Sequence, residues 1–176
     1  MFIMEMTMHK IRIALTLLLL TCSCHAALAE SKPSPFAFSE VKVQIARVEI
    51  KAGVSFDEAV ESLKLRANQQ NLKFVGANQL YKEIEALTGK PSKRIEIFNF
   101  CDGLTAQKMI AANPLFIAFM PCRIALVEDV QGKRWVIAMM MDAEMIRVLP
   151  DDTRKDAERI LGAMKDIMLA ASTGDL

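Results

Sequence analysis

From residue 41 onward the apolar residues of this chain keep changing their spacing, and that change of period limits the fold more than any other feature. Apolar residues at every second position predict a strand, and those three and four apart predict a helix. Val41, Val43 and Ile45 alternate, while Val48 and Ile50 continue one step out of phase. This predicts a strand with a bulge near Ala46-Arg47, broken by Gly53. Ser55 followed by Glu58 reads as a capping box. The helix it opens carries Phe56, Ala59, Val60, Leu63 and Ala67 on one face. Residues 72–75 predict a short strand ended by Gly76. Leu80, Ile84 and Leu87 predict a shorter helix stopped by Gly89 and Pro91.

Residues 94–101 alternate cleanly, with Ile95, Ile97, Asn99 and Cys101 on one side and Glu96, Phe98 and Phe100 on the other. Asp102 is placed to cap a helix over 103–113, which Asn113-Pro114 ends. Pro121 precedes a strand over 122–128, in which Cys122, Ile124 and Leu126 point one way. Gln131-Gly132 turns the chain into a returning strand over 133–141, so the two form a hairpin. A short helical piece follows Asp142. After Pro150, Asp151 and Asp152 open a last helix whose face is Ala157, Ile160, Leu161, Met164, Met168 and Ala171. Its acidic start suits the helix dipole. The chain contains no internal repeat, and these elements suggest one compact unit.

Residues 1–29 have the character of a secretory signal. Lys10 and Arg12 form the charged start, residues 13–20 an apolar run, and Ala27-Leu28-Ala29 the cleavage motif before Glu30. The run is shorter than the roughly 20 residues a spanning helix needs, so no stable membrane insertion is expected once it is cut. Competing readings are an uncleaved anchor and a lipid attached through Cys22 or Cys24. Met8 serves as a start as well as Met1. Residues 30–39, with Pro33 and Pro35, read as a flexible leader, and the expected location is periplasmic or secreted.

Removing that segment leaves 147 residues with twenty basic and twenty acidic side chains. A net charge of zero argues against nucleic acid as a partner. His9 and His25 are the only histidines of the chain, and both leave with the signal. The remainder therefore has no Ser-His-Asp or Cys-His machinery and no imidazole for zinc, haem or copper. Its carboxylates, among them Glu96, Asp102, Glu128 and Asp129, have no evident catalytic partner. A chain of this length buries roughly two thirds of its unfolded surface, so folding needs no cross-link.

Two cysteines remain, Cys101 where a strand gives way to a helix and Cys122 where the next strand begins. A helix N-terminus favours a thiolate at Cys101. The intervening twenty residues are long enough for the sulfurs to meet at one end of a sheet. Parallel neighbouring strands would instead hold them at opposite ends. Three readings stay open. One is a structural disulfide, worth about 3 kcal/mol. Another is a reactive pair for thiol exchange or for a soft metal such as Cu(I). The last is two small buried hydrophobes. Met139, Met140 and Met141, with Met145 close by, read either as core or as thioether ligands for Cu(I). Arg123 reads as a surface ion pair, as an anion site, or as a partner for a Cys101 thiolate of an adjacent chain. Trp135 and Tyr81 read as packing.

The stretch Ile95-Glu96-Ile97-Phe98-Asn99-Phe100-Cys101-Asp102, followed by Met120-Pro121-Cys122-Arg123-Ile124-Ala125-Leu126-Val127-Glu128, resembles the domain-of-unknown-function family numbered 302. The resemblance covers residues 40–149. It departs at Asp102-Gly103, where that family often has Asn-Pro, and in adding the signal and a C-terminal helix over 150–176 packed on the domain. It implies a two-layer α+β fold: a single, mainly antiparallel sheet with helices packed on one face, similar to the TATA-binding-protein-like topology. It also implies a homodimer, closeness of Cys101 and Cys122, and no particular reaction. The functional expectation is an exported binding or interaction protein for an undetermined small ligand or protein, not an evident enzyme. The alternative is a thiol-redox or Cu(I)-handling protein acting through Cys101 and Cys122, with Asn99, Asp102, Pro121 and Arg123 in support. The sequence leaves cofactor and metal undetermined.

Overall fold

Ser55 opens the first helix as its spacing predicts. Glu58 N donates to Ser55 Oγ at 3.1 Å, and Ser55 N donates to Glu58 Oε2 at 2.6 Å, so both members of the capping box are satisfied. This computed structural model describes residues 35–175. The expected signal, Cys22, Cys24 and the first half of the leader lie outside those residues. Residues 35–39 are exposed, and the unit that carries the fold begins at Glu40.

That unit runs β1 (Val43–Glu49), α1 (Phe56–Gln69), β2 (Lys73–Asn78), α2 (Leu80–Thr88), β3 (Ile95–Cys101) and α3 (Gly103–Ala112). A 3₁₀ turn (Pro114–Phe119) follows, then β4 (Cys122–Glu128), β5 (Arg134–Met141), α4 (Ala143–Arg147) and α5 (Asp151–Thr173). The strands form one sheet in the order β1-β5-β4-β3-β2, every neighbouring pair antiparallel. The fold is therefore two-layer α+β. Among the described residues no helix is long and apolar enough to cross a membrane.

Strand alternation decides what the helices cover. Phe98 and Phe100 of β3, Ile124 and Leu126 of β4, and Val136, Ala138 and Met140 of β5 are buried together with Ala59 and Leu63 of α1 and Met164, Ile167 and Ala171 of α5. Each fully enclosed Leu, Ile or Phe contributes roughly 1.5–3 kcal/mol by leaving water. The last helix is thus part of the main core. A second cluster of Met109, Phe116, Ile146, Leu149 and Ala157 joins α3, the 3₁₀ turn, α4 and α5.

Two expectations about the strands are corrected. The bulge near Ala46-Arg47 is absent, since β1 pairs with β5 without a break from Val43↔Met141 to Glu49↔Trp135. Val43 and Ile45 are exposed, while Ala46, Val48 and Ile50 pack on the core. The phase change therefore marks an edge strand with apolar residues on both faces. Gly76 does not end β2 either. The strand continues to Asn78 through a register shift between Phe74 and Gly76, where the glycine adopts φ +154°. A side chain rarely takes that backbone conformation.

Glu96 is the one charged residue among the buried core positions of β3, at 2% exposure. Arg94 Nε donates to its Oε1 at 2.6 Å, and Gln79 Nε2 lies 3.5 Å from Oε2. Arg94 also pairs with Asp57 at 2.6 Å and stacks over Phe56, 4.3 Å from its ring centre.

Candidate functional site

Antiparallel pairing brings three strand ends to one place. Cys101 ends β3, Cys122 begins β4 and Met141 ends β5, so all three lie at the same end of the sheet. Phe100 is the direct cross-strand neighbour of Cys122, which sets Cys101 one residue beyond that pair. α3 starts immediately after Cys101, and the 3₁₀ turn brings the chain back to Cys122. Between them lies a cavity of about 30 Å³. A water needs roughly 10–15 Å³ measured in this way, so the space suits an ion or about two waters.

The cavity wall contains Cys101, Cys122, Met109, Met120 and Met141, together with Phe119, Ile160, Ala106, Thr105 and Asp102. Both cysteines are free thiols and no bond joins them. Core packing among Phe98, Phe100, Ile124 and Leu126 holds the two strands together without one.

The thiolate expected at the head of α3 is not favoured. Asp102 Oδ1 accepts the free N–H groups of Leu104 and Thr105, both at 3.1 Å, so the helix end serves its cap and not the sulfur. Burial, and then the Asp102 carboxylate, push the Cys101 thiol above its ordinary pKa. Burial, followed by the Cys101 neighbour, pushes Cys122 up to about 11. Asp102 itself lies below the usual carboxylate range. Burial works against that shift, but hydrogen bonds from Thr105 and Arg159 outweigh it. Arg159 Nη2 approaches Asp102 Oδ2 at 2.5 Å, and Thr105 Oγ1 donates to the same oxygen at 3.1 Å.

The other expected residues divide. Pro121 stands between the cavity residues Met120 and Cys122, and the Met120–Pro121 peptide is cis. Asn99 turns to β2, where its Nδ2 donates to Gly76 O and Asn78 Oδ1 at 3.3 Å each. Arg123 is its cross-strand neighbour, exposed and outside the cavity wall. Among the described residues Arg123 forms no ion pair. The methionine run also separates, because alternation sends Met140 into the main core and leaves Met141 at the cavity. Met145 packs on the second cluster.

The sequence reading did not single out the wall residues Met109 and Met120 as part of a site. The signal for Met109 was its place four residues after Thr105, one helical turn along the face that starts at the cap. The signal for Met120 was its place two residues before Cys122. Among the described residues no three His, Cys, Asp or Glu side chains converge as metal ligands.

The model for the family described as "Domain of unknown function DUF302" matches residues 47–171. That match runs well into α5, the helix expected to lie outside the family's region. A crystal structure of an uncharacterized conserved DUF302 protein from Bacillus stearothermophilus is similar at a TM-score of 0.57. The likeness covers 72% of this chain and 97% of that one at 15% identity, and it bears on the fold alone. No curated protein matches the chain.

Proposed function

We propose, from the premise that this chain belongs to the DUF302 family, that it is a binding protein and not an enzyme. Its ligand is a small thiophilic species held between Cys101 and Cys122. The observation that carries the reading is the shared cavity: two unbonded thiols, twenty residues apart in sequence, face one apolar space. Thiol–disulfide exchange is the weaker use of such a pair, since an attacking thiol works best with a pKa near the ambient pH. With a pKa of about 11 for Cys122, roughly one molecule in ten thousand carries that thiolate at pH 7. A soft metal ion displaces the thiol protons as it binds, so the raised pKa lowers its affinity at neutral pH without preventing binding. We place this activity outside the cytoplasm, on the strength of the charged, apolar and small-residue pattern of residues 10–29.

The test is anaerobic titration of the full chain with Cu(I) against a competing chelator, and separately with a glutathione redox buffer. One ion per chain is expected, with affinity falling by roughly a hundredfold or more in Cys101→Ser and in Cys122→Ser. Unchanged affinity in both variants overturns the reading. So does a pair that equilibrates readily with glutathione while ignoring the metal.

A further inference from the structure

Resting on that reading, we infer that the site is a mixed thiolate–thioether centre for a soft monovalent cation, Cu(I) or its analogue Ag(I). Cys101 and Cys122 supply thiolates, and Met109, Met120 and Met141 supply the thioethers around them.

Five of the ten lining residues are cysteine or methionine, and the three methionines come from α3, from the end of the 3₁₀ turn and from the end of β5. Methionine is usually a gap-filler, its flexible chain closing irregular voids in a core. Three such chains line this space with the two cysteines, and about 30 Å³ of it stays open. Gap-filling accounts for their apolar contacts but not for the space that remains.

The same wall offers no imidazole, and its one carboxylate is already engaged. From residue 26 on, the chain has no histidine. Among the described residues Asp102 is the only carboxylate at the cavity, and both of its oxygens are engaged. Oδ1 accepts from Leu104 N and Thr105 N, and Oδ2 from Thr105 Oγ1 and Arg159. A structural zinc site takes four nitrogen, oxygen or thiolate ligands, and only two thiols are here. Calcium and magnesium need several oxygens. Thiolates with thioethers instead select Cu(I). In the binding step each thiol gives its proton to solvent as a sulfur–metal bond forms. The ion arrives already monovalent, so no electron moves.

The deciding experiment uses the full chain grown with selenomethionine and loaded anaerobically with one equivalent of Cu(I). X-ray absorption at the copper edge is expected to show sulfur neighbours and at least one selenium neighbour. The variants Met109→Leu, Met120→Leu and Met141→Leu, close to volume-conserving, are expected to leave the melting temperature nearly unchanged. At least one of them should weaken Cu(I) binding about tenfold or more, since even an outer-shell partner of a metal is worth that much. Met139→Leu should not. Copper with sulfur neighbours only, and an affinity indifferent to all three methionines, overturns this inference while the thiol-binding reading stands. Binding indifferent to both cysteines removes the two together.

Discussion

Arg159 Nη2 lies 2.5 Å from Asp102 Oδ2, tying α5 to the N-cap of α3 one residue beyond Cys101. The same carboxylate holds the first turn of α3 and a side of the sulfur-lined cavity. Its removal and the removal of its partner should therefore have different effects.

Arg159→Ala is expected to cost little, about 0.5 kcal/mol, because the pair is partly open to solvent. Asp102→Ala also removes the cap and is expected to cost about 1–2 kcal/mol, with Asp102→Asn between them because asparagine also caps. Urea unfolding measures all three, and equal losses from Arg159→Ala and Asp102→Ala would show that capping is not the larger role. With its pKa lowered in the fold, Asp102 contributes stability above the unfolded carboxylate value of about 3.9. That contribution is lost as the pH falls through the lower folded value. The acid limb of the stability profile should accordingly be flatter in Asp102→Asn.

Both thiols are raised in the fold, so their effect on stability lies at the alkaline side. The unfolded chain begins to lose these protons near about pH 8.5, while folded Cys122 keeps its proton to about 11. Stability should fall across that interval, and Cys122→Ser should flatten the fall. Alkylation at neutral pH should be slow at both cysteines. Asp102→Asn should quicken Cys101 modestly, since burial and not the carboxylate is the larger cause of its shift. Mass spectrometry of iodoacetamide-treated protein reads both rates, and fast labelling of either native cysteine at neutral pH contradicts the account.

Glu96 depends on Arg94, which is itself partly exposed. Arg94→Met keeps much of the apolar stem over Phe56 but leaves a buried carboxylate with only the long contact to Gln79. A loss of about 3 kcal/mol is expected, the low end for breaking a buried pair from one side. The double variant Arg94→Met, Glu96→Gln should recover part of it. No recovery in a denaturant melt would mean that stacking on Phe56, not charge, is what Arg94 supplies.

Ile167 is completely enclosed between α5 and the sheet. Ile167→Ala should cost about 3 kcal/mol and leave Cu(I) affinity per folded chain unchanged, because Ile167 is absent from the cavity wall. A change in affinity would link the main core to the site.

Features written in neighbouring residues were readable from the sequence. The Ser55–Glu58 box needs only a spacing of three, and the bounds of β4 are the bounds its alternation predicts. Features that depend on pairing were not readable. Whether Cys101 and Cys122 share an end turns on β3 and β4 running antiparallel, which neither strand states alone. The out-of-phase valines of β1 looked like an inserted residue because a strand apolar on both faces gives the same pattern. The head of α3 looked ready to stabilise a thiolate until Asp102 was seen to take its N–H groups. The Met139-Met140-Met141 run drew attention by adjacency, yet alternation separates such neighbours. Met109 and Met120, far apart in sequence, are the ones that join Met141.

The burial of Ile167 and Ala171 at 0% exposure bears on how the chain is made. During synthesis the five strands emerge before the α5 residues that complete their cover. Until then, Phe98, Ile124 and Val136 lack part of their shelter from water. The nascent polypeptide is consequently at its most adhesive late in translation, when its pleated apolar side is whole but only half roofed, by α1. A reporter inserted between residues 142 and 151 would prolong that window, whereas one joined beyond Gly174 would not.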